Sequence, residues 1–209
     1  MVIHNVEQRS LEWHELRRAK VTGTKFKQLL SKTSIELVYE LIAEAATGIE
    51  DDEDGYVSAA MLWGAEMEPL ACLAYEGITG HKVKHAGFIS HDQLDWFGLS
   101  PDGYVELEDG SIIGIEIKAP NTKRHVKTIV ENKVPTDSKA NWRPQVMMWF
   151  LLDDKVKQVD FVCYDERYTD KKCHIISIKR EDVLDEIDEM KEKLYKFRET
   201  WLITKNKAK

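Results

Sequence analysis

The segment "SIIGIEIKA" (111–119) constrains the fold more than any other stretch of the chain. Its isoleucines are typical of a buried strand, yet Glu116 and Lys118 lie two positions apart within it. Side chains at that spacing point to the same face of a strand. A buried face that carries charges must pair them or bind something, because an isolated ion away from water costs much free energy.

A third charged residue is predicted to join this pair. Asp102 follows Pro101 and opens the strand-like run "DGYVEL", and "EDG" (108–110) predicts a hairpin turn between the two strands. The fourteen positions that separate Asp102 from Glu116 therefore allow the two carboxylates and the Lys118 ammonium to converge. The plainer alternative is a Glu–Lys pair on an exposed hairpin, which the apolar neighbours Ile115 and Ile117 disfavour.

Two carboxylates and a lysine suit a hard divalent cation and a phosphodiester. Mg²⁺ takes one or two carboxylates, keeps bound waters and fills its remaining positions with phosphate oxygens. An ammonium beside it can orient the attacking water or offset the charge of the transition state. The pattern therefore favours metal-assisted phosphodiester hydrolysis.

Composition limits the classes of protein. The chain has 209 residues, 43% hydrophobic and 32% charged, which predicts a soluble globular protein with no membrane partner. Its start, "MVIHNVEQRS", lacks the pattern of a secretory signal, so we expect a cytoplasmic protein of a bacterial host cell. Cys72, Cys163 and Cys173 have no metal-binding spacing, and we expect buried reduced thiols.

The net charge of −7 is unevenly distributed. Residues 1–33 carry seven Lys or Arg against three acids, and residues 118–143 carry seven against two. Residues 44–76 carry nine acids and no base. Two basic segments around an acidic one suit a protein that grips a polyanion and collects cations, although solvated helix faces would give the same pattern.

The order of elements predicts an α/β fold with a mixed central sheet flanked by helices. One helix is expected to begin at Ser10 and a second at Thr24. A third is expected to end at Gly48, and a fourth to begin at Ser58 with a kink near Pro69. An acidic loop, "IEDDEDGY", follows Gly48. The later expected elements are the strands "KVKHAGFIS", "WFGLSPDGYVEL" and "SIIGIEIKA", the helices "TKRHVKTIVENK" and "SKANWRPQVMMWFLLD", the strands "VKQVDFVCYD" and "KCHIISIK", and a C-terminal helix.

Five blocks of the sequence, in order, resemble the lambda exonuclease or YqaJ-type viral recombinase family of the PD-(D/E)XK nucleases. They are "WHELRRAKVTGT", "LWGAEMEPLA", "GLSPDGYV", "GIEIKAP" and "RPQVMMWF". The resemblance implies a restriction-endonuclease-like core within one nuclease domain, 1–209. Its expected parts are N-terminal helices (1–80), the catalytic sheet with its helices (81–180) and a C-terminal helix (181–204).

The resemblance also implies roles for individual residues. Asp102, Glu116, the Ile117 carbonyl and Glu68 would hold the metal, Lys118 would act on the attacking water, and Gln145 would hold the scissile phosphate or the nucleophile. Arg17, Thr24 and Ser100 match a pocket for the 5′ phosphate of a DNA end. Thr24 stands where a better-known relative has serine, and Arg18 competes with Arg17 for the pocket role.

The implied activity is a Mg²⁺-dependent exonuclease that degrades one strand of linear duplex DNA from 5′ to 3′ to mononucleotides during phage-type recombination. Two ions are expected, with Mn²⁺ as a substitute, and so are a homotrimeric ring and a single-strand annealing partner. A restriction-type endonuclease and a non-catalytic DNA-binding module remain alternatives. An iron–sulfur nuclease of the superfamily would need four cysteines, and the chain has three.

Two further expectations concern aromatic residues. Trp13, Trp63, Trp142 and Trp149 lie at helical spacing with apolar residues, which predicts packing roles. No histidine shows metal-ligand spacing, and His125, within "TKRHVK", is expected to line a DNA contact.

Overall fold

The computed structural model describes residues 1–49 and 58–208. The predicted acidic loop lies mostly in 50–57, outside the described residues. The helices are α1 (Leu11–Arg17), α2 (Gly23–Leu29), α3 (Ser34–Thr47), α4 (Ala59–Thr79), α5 (Thr122–Glu131), α6 (Arg143–Leu152) and α7 (Leu184–Lys207). The strands are β1 (Val2–His4), β2 (Phe88–Ser90), β3 (Gly98–Leu99), β4 (Gly103–Glu106), β5 (Ile112–Lys118), β6 (Thr136–Asp137), β7 (Ala140–Asn141), β8 (Val156–Tyr164) and β9 (Cys173–Lys179).

The central sheet is mixed, as predicted, with the strand order β4-β5-β8-β9. β5 is antiparallel to β4 and parallel to β8, and β9 is antiparallel to β8. Parallel strands need a crossover, and α5, the β6–β7 hairpin and α6 supply it. β5 therefore lies inside the sheet, which explains its nearly continuous burial.

Helices cover both faces of β5. Ile113, Ile115 and Ile117 share a core cluster with Met67 and Tyr75 of α4. On the other face Gly114 meets α6, where a β-carbon at position 114 would stand 2.4 Å from Cδ2 of Trp149. The glycine thus lets a fully buried tryptophan lie flat against the strand.

Helix boundaries follow local chemistry. The Oγ atoms of Ser10 and Ser58 accept hydrogen bonds from the backbone N–H groups of Trp13 and Met61, so both serines cap helices as predicted. α3 ends at Gly48, whose φ of +71° suits glycine. α4 runs through Pro69 as one helix.

Three segments differ from the sequence prediction. The run "WFGLSPDGYVEL" is two strands, because β3 joins β1 and β2 in a separate three-stranded sheet while β4 joins the central one. Pro101 lies at the break, since it has no N–H to donate to a ladder. Within "KVKHAGFIS" only the last residues form β2, and "SKANW" forms a hairpin strand and loop before α6 instead of a helix. Pro144 accordingly lies in the first turn of α6.

Candidate active site

Asp102 and Glu116 meet across the β4–β5 hairpin. Gly103 pairs with Ile115, so the register places Asp102, one residue before β4, opposite Glu116. The backbone N–H of Ile117 donates a 2.6 Å hydrogen bond to Oδ2 of Asp102, which fixes that carboxylate against β5. The predicted convergence of the two carboxylates is therefore present.

Lys118 completes the group. Its Nζ lies 2.5 Å from Oε1 of Glu116, and only 8% of the Glu116 side chain is exposed. Burial lowers the pKa of Lys118, but Glu116 and Asp102 outweigh this effect and hold the pKa above its usual value. The lysine therefore stays protonated at neutral pH and serves as a charged donor.

Glu68 of α4 belongs to the same electrostatic cluster. Burial, reinforced by the Asp102 carboxylate, raises the pKa of Glu68 to about 7. Burial likewise raises the pKa of Glu116 to about 7, with Lys118 opposing the rise. Burial also raises the pKa of Asp102. Three carboxylates thus share one ammonium, which leaves excess negative charge at the hairpin.

This donor set suits a divalent cation, although it is not arranged as a finished site. Carboxylate and carbonyl oxygens are the ligands that Mg²⁺ prefers, and a cation would relieve the repulsion that raises these pKa values. Within residues 1–49 and 58–208, no three or more His, Cys, Asp or Glu side chains stand grouped as ready metal ligands. A Mg²⁺ ion here would therefore be held by one or two carboxylates together with the Ile117 carbonyl and water molecules.

Arg17 and Ser100 form a second polar cluster beside the hairpin. Nη1 of Arg17 donates a 2.8 Å hydrogen bond to Oγ of Ser100, two residues before Asp102. Thr24 lies with Arg17 on the wall of a cavity of about 420 Å³. Arg18 differs, because its Nε is buried without a hydrogen-bond partner among the described atoms. Of the two arginines, Arg17 is the one bonded to a predicted pocket residue.

Trp13 also belongs to this cluster, a role that the sequence did not predict. Its Nε1 donates to Oγ of Ser100 at 3.0 Å and to the Gly87 carbonyl at 2.9 Å. The Arg17 guanidinium stacks 4.0 Å above its ring. Such a cation–π contact holds the arginine fork in place. The packing expectation does hold for Trp149, which is fully buried.

Gln145 lies in the first turn of α6, against the start of α2. A β-carbon on Gly23 would come within 3.2 Å of its Nε2. The predicted glutamine therefore lies beside the start of α2, which also carries Thr24.

His125 does not contact DNA from the surface. It is fully buried, with Nε2 at 2.8 Å from the Lys171 carbonyl and Nδ1 at 3.3 Å from Sγ of Cys163. The expectation was wrong because the polar sequence around His125 belongs to the outer face of α5, while His125 is on its inner face. All three cysteines are free and buried, as predicted.

Ion pairs neutralise much of the positive charge of the second basic segment, residues 118–143. Within 118–143 a carboxylate pairs with Lys118, Arg124, Lys127, Lys133 and Arg143. Only Lys123 and Lys139 lack such a pair among the described residues. The charge count along the sequence therefore overstates the attraction of this segment for a polyanion. No helix in the described part of the chain is long and apolar enough to span a bilayer.

The mixed sheet, with two carboxylates and a lysine at one hairpin, defines the restriction-endonuclease-like class of nuclease folds. The family model described as a YqaJ-like viral recombinase domain matches residues 12–151. The chain belongs to that family.

Solved structures agree with this assignment. The crystal structure of an alkaline exonuclease (LHK-Exo) from Laribacter hongkongensis is similar, with 31% identity, a TM-score of 0.74, and coverage of 95% of this chain and 98% of that one. The same enzyme in complex with dAMP matches with 32% identity, the same TM-score and the same coverage. A phage related exonuclease from Haemophilus somnus 129PT shares the fold, with 16% identity, a TM-score of 0.54, and coverage of 96% of each chain. No curated protein gave a match.

Proposed function

We propose that the protein is a Mg²⁺-dependent exonuclease that degrades one strand of linear duplex DNA from its 5′ end and releases mononucleotides. The observation that carries this proposal is the Asp102–Glu116–Lys118 group at one hairpin, beside the Arg17–Ser100 contact. The first group suits phosphodiester hydrolysis, and the second suits a terminal phosphate.

In the proposed mechanism, Asp102, Glu116, Glu68 and the Ile117 carbonyl would hold one or two Mg²⁺ ions, which Mn²⁺ could replace. A metal held there would supply polarisation of the scissile phosphate and activation of water. Asp102 is held in place by the Ile117 N–H. The Lys118 ammonium orients the attacking water and offsets the charge of the transition state, because its carboxylate neighbours keep it protonated.

The end pocket would set the direction of digestion. The Arg17 guanidinium, fixed by Trp13 and Ser100, can donate two parallel hydrogen bonds to a terminal 5′ phosphate, and the exposed Thr24 hydroxyl can add a third. Gln145 would hold the scissile phosphate or the nucleophile from the start of α6. The similarity to an alkaline exonuclease supports this proposal. We extend it to a homotrimeric ring and a single-strand annealing partner in phage-type recombination, in the cytoplasm of a bacterial host.

One digestion tests the activity. The substrate is a linear duplex with one 5′-phosphate end and one 5′-hydroxyl end, incubated with Mg²⁺ or with chelator, beside a closed circle of the same sequence. We expect Mg²⁺-dependent loss of the 5′-phosphorylated strand from its 5′ end, mononucleotide products and an intact circle. Cutting of the circle would instead identify an endonuclease, and absence of any hydrolysis would indicate a DNA-binding module.

A further inference from the structure

The turn that precedes α1 holds an arginine in a backbone conformation that favours glycine. Arg9 has a φ of +70°, which L side chains rarely adopt. The flanking contacts explain how the turn persists. Nε2 of Gln8 donates a 3.0 Å hydrogen bond to the Pro101 carbonyl, and Ser10 caps α1. The turn is thus fixed to the loop that carries Asp102, and strained residues of this kind concentrate at functional sites.

The same N-terminal segment lines the catalytic cleft. Asn5, Val6 and Gln8 form one wall of a cavity of about 430 Å³ whose other walls include Glu68 and Asp102. Arg9 directly follows Gln8 of this wall, and its positive charge opposes the rise that burial causes in the pKa of Glu68. Arg9 is exposed, and no carboxylate lies within ion-pair distance of it among residues 1–49 and 58–208.

A cation at the edge of the cleft would favour DNA binding on electrostatic grounds. Three carboxylates and one ammonium make the metal-free cleft negative, so a positive side chain that faces the DNA backbone adds to the attraction that bound Mg²⁺ would supply. Arg17 donates a hydrogen bond to Ser100 and is assigned to the end pocket, and Lys118 is paired with Glu116. Arg9 is an exposed cation next to Gln8, which lines the cleft together with Glu68.

We propose that Arg9 binds an internal phosphodiester of the DNA strand that lies in the catalytic cleft, distinct from the terminal phosphate assigned to Arg17. This inference rests on the proposed action on DNA strands. The guanidinium fork suits two oxygens of one phosphate. No base recognition follows from this contact, so it should act on every sequence.

The variant Arg9→Gly separates function from folding, because glycine removes the side chain and also the strain. We expect an unchanged or higher melting temperature, a KM for linear duplex raised about tenfold, and equal losses on 5′-phosphate and 5′-hydroxyl ends. Binding of duplex in chelator, measured by fluorescence anisotropy across salt concentrations, should lose about one unit of the log–log salt slope. Arg9→Lys should restore most of the slope.

Matched controls make the result decisive. Ala19→Gly places glycine at another positive-φ position, and Lys205→Ala removes one exposed cation near the chain's C-terminus. Both should leave KM and the salt slope unchanged. An unchanged salt slope in Arg9→Gly, or a loss confined to 5′-phosphorylated ends, would overturn the proposal. The binding measurement needs no hydrolysis, so its result stands even where the exonuclease proposal itself fails.

Discussion

At the scale of single residues, the proposed function assigns hydrolysis to the hairpin and binding of the terminal phosphate to the end pocket. At the hairpin, Asp102 accepts a hydrogen bond from the Ile117 N–H, and Glu116 forms an ion pair with Lys118. Arg17, Trp13 and Ser100 form a second group, in which a guanidinium is oriented by a ring and a hydroxyl. Because Ser100 and Asp102 are separated only by Pro101, the two groups are connected through the backbone.

Removal of the Lys118 or the Asp102 charge should strongly lower the rate of hydrolysis while duplex binding persists. Lys118→Ala and Asp102→Asn are each expected to lower kcat by about 100-fold or more, since each removes a charge that the proposed function places beside the reacting phosphate. Lys84→Ala is the matched control, because Lys84 forms an exposed ion pair with Glu106 of β4, away from the cluster. Activity within a few-fold of wild type in Lys118→Ala would show that the active site is elsewhere.

Arg17→Ala should impair digestion selectively at 5′-phosphorylated ends. The phosphate offers several strong acceptors to the guanidinium, whereas a hydroxyl end offers little, so the preference for phosphorylated ends should fall about tenfold or more. The ratio of initial rates on the two kinds of end measures this preference. Arg18→Ala should keep the preference. If the preference were instead lost in Arg18→Ala and kept in Arg17→Ala, Arg18 would be the residue that binds the 5′ phosphate.

Glu116 should make the metal-free protein less stable as the pH rises. Burial raises its pKa from the ordinary 4.5 to about 7, so the folded state binds this proton more tightly than the unfolded state does. Stability from this group is present at low pH and is lost as the pH rises through that range. In chelator, the melting temperature should therefore drop more between about pH 5.5 and about pH 8 in wild type than in Glu116→Gln. Equal declines in the two proteins would contradict this.

At the scale of elements, the packing of α6 on β5 positions the catalytic strand. Trp149 occupies the space above Gly114, and Ile112 lies in the same core. α6 also carries Gln145 to the start of α2. One glycine in β5 therefore sets how close the helix with the predicted phosphate ligand approaches the strand with Glu116.

Gly114→Ala should destabilise the protein. Its β-carbon would stand 2.4 Å from the Trp149 ring, so the ring or α6 must shift, at a cost of about 1–3 kcal/mol in the free energy of unfolding. Gly77→Ala is the matched control, because no described atom lies within 4 Å of that position on α4. It should stabilise the protein by about 0.5–1 kcal/mol. Denaturant unfolding of the two variants checks both signs.

The sequence predicts the hairpin and its paired carboxylates, but not the elements that pack around them. Asp102 and Glu116 could be paired from their spacing, because strand period and a turn signal fix the register. The split between β3 and β4 was missed, although Pro101 marks it, because local pattern does not say which sheet a strand joins. Trp13 was assigned to packing because a tryptophan at helical spacing usually lies in the core. Only the tertiary structure shows its hydrogen bonds to Ser100 and Gly87. β1 is too short for a periodic signal.

At the scale of the whole molecule, the exposed surface suggests an assembly. Leu62, Leu73 and Ile78 of α4 are each at least 60% exposed, and Leu70 is 39% exposed. Leu62, Leu70 and Leu73 share one side of α4 at helical spacing, and exposed apolar side chains clustered in this way are typical of an interaction surface. α4 also carries Glu68, so a contact through this helix would link assembly to the active site.

The proposed ring predicts both a mass and a mode of digestion. Sedimentation in dilute buffer should give about three times the 24.2 kDa of one chain. A ring encloses its DNA, so excess trap DNA added after digestion has begun should not stop it. Leu73→Glu should lower the mass and make digestion sensitive to the trap, because it buries an unpaired charge in the contact. Leu202→Glu, on the exposed face of α7, is the control and should do neither. If the protein sediments as a single chain and its digestion still resists the trap, processive digestion does not require a trimer and the ring proposal is wrong.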